Sequence, residues 1–219
     1  MRKINIAIDG PSGAGKSTIS DILATKLGYI HLDTGAMYRT VAYKGLQAGL
    51  KMDDEENIVK LISTLEFKQT ADGRIICNGE DISKEIRQNE ISMAASDVSK
   101  LLGVRKALVA LQQKIAEEKG YIVDGRDICE VVLPCAEVKI YLVASAEERA
   151  KRRVLQNKEK GIEADYESIL EDIVKRDYQD MHRENSPLHK TDDATEIDSS
   201  NLTIEEVVDK IMEIVETKL

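Results

Sequence analysis

A glycine-rich octapeptide near the amino terminus, GPSGAGKS at residues 10–17, limits the folds open to this chain more than any other feature. It fits the pattern G-x-x-x-x-G-K-[ST] and lies between a β-branched run at 3–9 and an amphipathic stretch that Gly28 closes. These flanks predict a buried strand and a helix. A glycine loop in that setting directs backbone N–H groups into a concavity that holds phosphate. The sequence therefore predicts a nucleoside triphosphate site.

The residue types of this loop have separate chemical tasks. Lys16 is expected to reach the β- and γ-phosphate oxygens, and the Ser17 hydroxyl is placed to ligate Mg²⁺. The residues predicted to bind the donor nucleotide here are Gly10, Pro11, Ser12, Gly13, Ala14, Gly15, Lys16, Ser17 and Thr18.

Strands and helices alternate along the rest of the chain. Further strands are predicted at 29–33, where His31 is expected to be packed, and at 121–124, 138–143 and 195–198. Helices are predicted at 34–49, 83–119 with a break at Gly103, 146–160, 165–183 and 203–217. This alternation predicts an α/β fold, a parallel sheet with helices on both faces, in a single domain over residues 1–219.

One segment, at about residues 65–82, has a different character. Short β-prone runs are separated there by Ala71-Asp72-Gly73 and by Asn78-Gly79, and both are turn signals that suit hairpins. We predict a small antiparallel β insert.

Charge and composition exclude several classes of partner. Lys and Arg total 31 against 40 Asp and Glu, and the net charge of −9 disfavours a whole-surface grip on nucleic acid or anionic lipid. No run approaches the roughly 18–20 apolar residues that cross a bilayer. Cys77, Cys129 and Cys135 lack the spacing of a metal site or disulfide framework. We expect a cytoplasmic monomer that binds small nucleotides.

The loop motif occurs in GTPases, motor ATPases and small kinases, so other residues must distinguish these classes. A guanine-reading N-K-x-D does not occur, and D-x-x-G fails because Asp33 and Asp124 are followed by glycine too soon. Scattered internal arginines instead favour phosphoryl transfer to a second small molecule, since planar donors grip a monophosphate well.

Three arginines lie in surroundings that suit an acceptor site. Arg39 follows the second strand, Arg105 opens a helix, and Arg126 lies at the carboxyl end of the strand at 121–124. Ligands of open α/β sheets bind at that edge. Taken alone, Arg105 fits a solvated surface residue better than an acceptor ligand.

Two further groups of charged residues fall on single helical faces. Arg149, Arg152 and Arg153 predict a mobile cationic lid, at about 149–162, over the transferring phosphoryl group. The alternative is neutralisation by neighbouring glutamates. The second group comprises Arg176, Asp180 and Arg183. These side chains are expected to face a base or sugar, or alternatively to form a salt-bridge ladder within the helix.

In this order, these pieces resemble the bacterial cytidylate kinases. The matching stretches are IDGPSGAGKST at 8–18, LDTGAMYR at 32–39, AAS at 94–96, VR at 104–105, DGRD at 124–127, RxxRR at 149–153 and RDxxDxxR at 176–183. The resemblance implies transfer of phosphate from ATP to CMP or dCMP. A UMP/CMP kinase of broader specificity remains an alternative. So does a regulatory protein with weakened catalysis, because Cys129-Glu130 stand where the family has Gly-Thr.

The resemblance also implies roles for individual residues. Lys16, Arg126, Arg149 and Arg153 would be catalytic, Arg152 would contact ATP, and the insert would belong to the part that closes over the acceptor. Asp124, which ends an apolar strand, is also a candidate for orienting Mg²⁺-bound water. The residues predicted to bind the acceptor are Thr34, Tyr38, Arg39, Ser96, Arg105, Asp124, Arg126, Asp127, Arg176, Asp180 and Arg183.

Overall fold

The computed structural model describes residues 3–70, 73–159, 161 and 163–219, and it contains two sheets. The strands are β1 (Ile6–Asp9), β2 (Ile30–Asp33), β3 (Phe67–Gln69), β4 (Ile75–Cys77), β5 (Glu80–Asp81), β6 (Tyr121–Gly125), β7 (Val138–Val143) and β8 (Thr195–Asp198). The larger sheet has the order β2-β6-β1-β7-β8, and all its neighbouring strands run parallel. The predicted parallel α/β core is confirmed.

Helices connect the strands of the parallel sheet and cover it. They are α1 (Lys16–Leu27), α2 (Thr34–Gln47), α3 (Glu55–Ile62), α4 (Asn89–Val98), α5 (Leu102–Ala116), α6 (Ala146–Glu159), α7 (Tyr166–His182) and α8 (Ile204–Glu216). A 3₁₀ turn lies at Glu85–Arg87 and a π-helical turn at Ile128–Val132. In the described ranges, no helix is both long and apolar enough to span a membrane.

Two hydrophobic cores form because successive strand residues point to opposite faces of the sheet. In β1, Ile6 and Ile8 pack with residues of α1 and α8, such as Leu23 and Ile211, on one face. Ala7 points to the other face, where the core includes residues of α2 to α5 and of the insert. All four residues of β1 are buried, as expected for a strand covered on both sides.

The smaller sheet is the predicted insert, and its strand order β3-β4-β5 is antiparallel. Asn78 (φ 51°) and Gly79 (φ 81°) both have positive φ, which is the geometry of a tight hairpin turn. Ala71 and Asp72 of the other predicted turn lie outside the described residues. Gln69 Oε1 accepts a hydrogen bond of 2.9 Å from the Asp33 backbone N–H and thereby joins the insert to the end of β2.

The structure differs from the predicted helices in two places. Helix α3 was not predicted from the sequence, although the Asp54 side chain caps it and Ile58 and Ile62 are buried on its inner face. The predicted helix at 83–119 is divided into the 3₁₀ turn, α4 and α5. The final break comes before Gly103, which lies in the first turn of α5. A Cβ at this glycine would lie 2.8 Å from Glu55 Oε1, so glycine allows α3 and α5 to pack closely.

The register of the parallel strands brings three carboxylates to one edge of the sheet. Asp9 at the end of β1 lies beside Gly125 of β6, and Asp33 at the end of β2 lies beside Asp124. The glycine loop leaves β1 at this same edge. The strand ends and the loop therefore build a site together.

Candidate active site

The glycine loop between β1 and α1 encloses the Lys16 side chain. Its Nζ donates hydrogen bonds of 2.7 Å and 2.8 Å to the carbonyls of Gly10 and Pro11. Gly10 has a φ of 150°, and a Cβ there would lie 2.0 Å from the Leu142 carbonyl oxygen, so only glycine fits. Burial and the nearby Arg126 guanidinium lower the pKa of Lys16 to about 7. A bound polyphosphate would supply the negative charge that this ammonium group needs.

A chain of polar groups runs from the start of α1 into the sheet. The Ser17 hydroxyl donates a hydrogen bond of 3.0 Å to Asp124 Oδ2, and the other carboxylate oxygen, Oδ1, lies 2.8 Å from His31 Nε2. Burial alone would lower the pKa of His31, but hydrogen bonds to Asp124 and Asp21 outweigh it and raise the pKa to about 10. Sequence analysis predicted His31 to be packed but missed its charge.

This chain of groups includes a donor set that suits Mg²⁺. Mg²⁺ prefers hard oxygen ligands. The Ser17 hydroxyl of the glycine loop and the buried Asp124 carboxylate beside it supply them. Burial alone would raise the pKa of Asp124, but its hydrogen bond to His31 and the charges of His31 and Lys16 lower it, so the carboxylate stays ionised. Ser17 and Asp124 therefore fit a magnesium site.

Asp9 is a second buried carboxylate that sequence analysis missed. Its Oδ1 and Oδ2 accept hydrogen bonds of 2.8 Å from the backbone N–H groups of Ile128 and Cys129, respectively. Burial raises the pKa of Asp9 even though these hydrogen bonds favour the ionised form. The carboxylate fixes the segment that follows Arg126 against the base of the glycine loop. An aspartate that ends an apolar strand directly before Gly10 was the available signal.

Replacing Asp9 by Asn is expected to lower the free energy of unfolding by about 1–3 kcal/mol, because the amide NH₂ would face one of the two buried N–H groups. Urea unfolding followed by circular dichroism measures this loss. Asp193→Asn is the matched control, since the Asp193 side chain is 62% exposed beside Lys139. Equal losses in the two variants would contradict the role assigned to Asp9.

A cleft of about 350 Å³ opens between the glycine loop, α2, α4, the end of β6 and α7. Every residue predicted to bind the acceptor lines it, together with Lys16, Ser17 and Arg153. Its charged lining comprises seven cations and four carboxylates, which are Lys16, Arg39, Arg105, Arg126, Arg153, Arg176, Arg183, Asp33, Asp124, Asp127 and Asp180. The cleft therefore carries an excess of positive charge although the whole chain is acidic.

Ion pairs hold several of these arginines in place. Arg126 Nε donates to Asp180 Oδ2 at 2.7 Å, and Arg39 Nη2 donates to Asp33 Oδ2 at 2.9 Å. These pairs restrict the arginine rotamers before any ligand arrives. Asp180 of α7 thus bonds to Arg126 of another element, which differs from the predicted alternative of a ladder within the helix.

Some donors in the cleft lack hydrogen-bond partners, although Arg183 Nη2 lies 3.8 Å from Asp127 Oδ1. Arg39 Nε and Arg183 Nη2 are buried and make no hydrogen bond within the described part of the chain. Burial and the nearby charge of Arg105 lower the pKa of Arg183, which shows that more negative charge would be favourable there. An anionic ligand with several oxygens would satisfy these groups.

The lining of the cleft includes a buried ion pair between Arg105 and Asp127. Their side chains are 5% and 10% exposed, so the alternative of a solvated surface position for Arg105 is wrong. Ser96 and Tyr38 also line the cleft. Burial raises the pKa of Tyr38 to about 12, which keeps its hydroxyl protonated and able to donate.

The Thr34 side chain supports the edge of the sheet. Its hydroxyl donates a hydrogen bond of 2.7 Å to the Asp124 backbone carbonyl. A Cβ on Gly125 would lie 2.7 Å from the same hydroxyl, so glycine is required beside it. Thr34 therefore fixes the backbone from which the Asp124 carboxylate extends.

The three arginines of α6 have different surroundings. Arg149 is buried and donates to the Ser12 carbonyl at 3.0 Å and to both carboxylate oxygens of Asp177 on α7. Arg152 Nη2 donates to the Ser199 carbonyl at 2.6 Å, whereas Arg153 is exposed at the cleft. Asp177 therefore neutralises Arg149, which differs from the alternative of neutralisation by neighbouring glutamates. Residues 160 and 162 of the predicted lid lie outside the described residues.

A second cavity of about 340 Å³ adjoins the cleft across the glycine loop. It shares Gly13, Gly15, Thr18, Arg153 and Gln156 with the cleft. Its remaining wall is largely apolar and includes Ile19, Leu155, Leu202, Ile204 and Val207. A planar apolar group can therefore lie beside the loop while its phosphates extend toward the cleft.

The Cys129-Glu130 pair lies outside both cavities. Cys129 is buried, and its Sγ lies 3.8 Å from the carbonyl oxygens of Ala7 and Ile140. Glu130 is exposed, and its Oε2 lies 3.5 Å from His189 Nε2. The extra carboxylate therefore faces solvent instead of the cleft.

Cys77, like Cys129, is a buried free thiol, and Cys135 is exposed.

Comparisons with known proteins agree with this geometry. The chain is 54% identical to a cytidylate kinase of Caldicellulosiruptor saccharolyticus over 217 residues, which is 98% of this chain and 96% of the relative. It is 49% identical to a cytidylate kinase of Bacillus subtilis over 220 residues, with 99% and 98% of the two chains covered.

The fold is also similar to solved structures of proteins that are not cytidylate kinases. A gluconokinase from Sinorhizobium meliloti superposes with a TM-score of 0.52 at 14% identity, covering 99% of this chain and 95% of that one, which shows a shared fold. Within that fold, the family model described as "Cytidylate kinase" matches residues 6–217. With a match over almost the whole length and relatives near 50% identity, the chain belongs to the cytidylate kinase family.

Proposed function

We propose that this protein transfers the γ-phosphoryl group of ATP to CMP or dCMP and releases ADP with CDP or dCDP. The observation that supports this most strongly is the cationic cleft, which meets an apolar-walled cavity at a single glycine loop. Two nucleotides bound in these cavities would have their phosphates on the same loop. We also propose that the enzyme is cytoplasmic and acts as a monomer.

The acceptor monophosphate would lie among three arginines of the cleft. Arg39, Arg126 and Arg176 line the cleft around the unpartnered Arg39 Nε. Guanidinium groups grip a phosphate dianion through paired N–H groups. The ion pairs with Asp33 and Asp180 hold two of these arginines ready, so less side-chain entropy is lost on binding.

Cytosine would be read by the buried Arg105–Asp127 pair. The Asp127 carboxylate can accept a hydrogen bond from the exocyclic amino group, and Arg105 can donate to the ring acceptors. Ser96 offers a further hydroxyl in the cleft, and Asp180 and Arg183, which also line it, would lie close to the sugar. Uracil presents a carbonyl where cytosine has its amino group, so Asp127 would repel it. This favours CMP over the broader UMP/CMP alternative.

The donor would place its adenine in the apolar-walled cavity and its phosphates on the glycine loop. Lys16 and the loop N–H groups would hold the β- and γ-phosphates, and Arg152 would close the cavity beside them. Ser17 and Asp124 would hold the Mg²⁺ that accompanies ATP. When bound, this cation neutralises charge on the β- and γ-phosphate oxygens.

Catalysis would then consist of alignment and charge stabilisation. An acceptor phosphate oxygen attacks the γ-phosphorus, and the bond from that phosphorus to the bridging β-oxygen breaks, so the electron pair leaves with ADP. Lys16, Arg126 and Arg153 surround the path and stabilise charge on the transferring group. Arg149 would act from behind the loop, because it fixes Ser12 and Asp177 in place. Exclusion of water prevents hydrolysis.

A coupled assay for ADP release tests the proposal. ADP release should depend on added CMP or dCMP and should be much slower with UMP, AMP or shikimate. Turnover with AMP or shikimate equal to that with CMP would contradict the proposal. Turnover with UMP equal to that with CMP would support the broader UMP/CMP alternative.

Glu130→Thr is expected to leave kcat and KM for CMP within about twofold of the wild-type values, because an exposed pair such as Glu130–His189 contributes little. The same coupled assay measures both constants. If wild-type turnover were negligible and this variant restored it, the alternative of a catalytically weakened regulatory protein would gain support instead.

A further inference from the structure

His31 links the surface of the protein to the donor phosphate site. Its side chain is 6% exposed, and its Nδ1 lies 2.7 Å from Asp21 Oδ1 while Nε2 lies 2.8 Å from Asp124 Oδ1. An ionised carboxylate can only accept hydrogen bonds. Both ring nitrogens therefore carry hydrogen, and the imidazolium is fixed from both sides within the sheet.

This contact determines the orientation of the Asp124 carboxylate. Oδ1 is occupied by His31, so Oδ2 remains for the Ser17 hydroxyl at 3.0 Å. Without the imidazolium, the carboxylate could rotate about its last side-chain torsion and turn toward the Lys16 ammonium. His31 thus fixes the rotation of the carboxylate, so that its second oxygen faces the glycine loop.

We propose that His31 is a positioning residue for phosphoryl transfer: by holding Oδ1 of Asp124, it keeps Oδ2 and the Ser17 hydroxyl directed at the Mg²⁺ of bound Mg·ATP. This inference rests on the proposed function. Groups that orient a metal ligand through a hydrogen bond typically change metal affinity or activity by about 10–100-fold when they are removed. A purely structural ion triad would instead affect folding stability alone.

Two neutral amides separate the contacts of His31. The amide nitrogen of glutamine is four bonds from Cα, as Nε2 of histidine is, so His31→Gln can still donate to Asp124. The amide nitrogen of asparagine is three bonds from Cα, as Nδ1 is, so His31→Asn can donate only toward Asp21. The variants lose the same charge but differ in the contact with Asp124.

The expected results concern the response to Mg²⁺. His31→Asn should raise the Mg²⁺ concentration for half-maximal CMP-dependent turnover by about tenfold or more, and His31→Gln by less than about threefold. Calorimetry adds a readout without turnover. The ratio of ATP affinity with Mg²⁺ to that with EDTA should fall about tenfold in His31→Asn, while the affinity in EDTA is unchanged. Identical Mg²⁺ responses in the two variants would overturn the proposal.

Asp21 provides a second test of the proposal. Its side chain is 61% exposed, so its replacement should not prevent folding. Asp21→Ala removes the outer support of the imidazolium and should raise the half-maximal Mg²⁺ concentration by about threefold. Asp21→Asn keeps an acceptor oxygen and serves as the control. If His31→Asn fails to fold, an unchanged Mg²⁺ response in Asp21→Ala overturns the proposal. The calorimetric test remains decisive even if CMP proves not to be the acceptor.

Discussion

Lys16→Ala should reduce kcat for CMP phosphorylation by about 10²–10³-fold while the protein remains folded. Lys16 provides a buried cation at the position where charge develops on the transferring group, and loss of one such preorganised group costs a factor of this size. Its loss removes the hydrogen bonds to the buried Gly10 and Pro11 carbonyls, so the free energy of unfolding should also fall, by about 1–3 kcal/mol. The coupled ADP assay and urea unfolding measure the two effects.

The control for this variant comes from the same helix. Lys26→Ala removes a side chain that is 49% exposed and pairs with Asp209 at 3.6 Å. It should leave kcat unchanged, since an exposed pair contributes little. A loss below about threefold in Lys16→Ala would show that the loop lysine does not stabilise the transfer step.

Asp127→Asn should reverse much of the discrimination between CMP and UMP. The Asp127 carboxylate can only accept hydrogen bonds. The side-chain amide of the variant can turn its oxygen toward the base as an acceptor, or its nitrogen as a donor. We expect the ratio of kcat/KM for CMP to that for UMP to fall by about 100-fold, with ATP affinity unchanged. The Arg105 guanidinium still finds an oxygen in the variant, so the fold should persist.

Asp97→Asn is the matched control for acceptor selectivity. Asp97 lies on α4, and its side chain is 59% exposed beside Lys100. Its replacement should not alter the ratio between the two acceptors. If Asp127→Asn weakened CMP and UMP equally, the carboxylate would be acting on the phosphate or sugar and not on the base.

The glycine loop was predictable from the sequence because the residues that define it are close together in the chain. Glycines at fixed spacing, a lysine and a hydroxyl define it within eight residues, and Gly28 marks the end of the following helix. The insert was also predictable, since Asn78-Gly79 specifies a tight turn without reference to the rest of the chain. Both features need only short-range geometry.

The groups that support the site were not predictable, because their partners are distant in sequence. His31 contacts Asp124, which is 93 positions away, and Asp9 contacts Ile128, which is 119 positions away. Only the strand order of the sheet brings these pairs together. Helical spacing likewise placed Arg149 on one face with Arg153, but it could not show that Asp177 of another helix would bind Arg149.

The distribution of thiols offers a practical consequence. Burial raises the pKa of both Cys77 and Cys129, so these thiols should react slowly with alkylating probes. Cys135 is exposed and lies three residues before β7 begins, at the amino edge of the sheet, whereas the cleft occupies the carboxyl edge. A maleimide dye would therefore attach at one defined position, on the side away from both nucleotides. A label at that position should leave CMP-dependent turnover unchanged, which the coupled ADP assay can check.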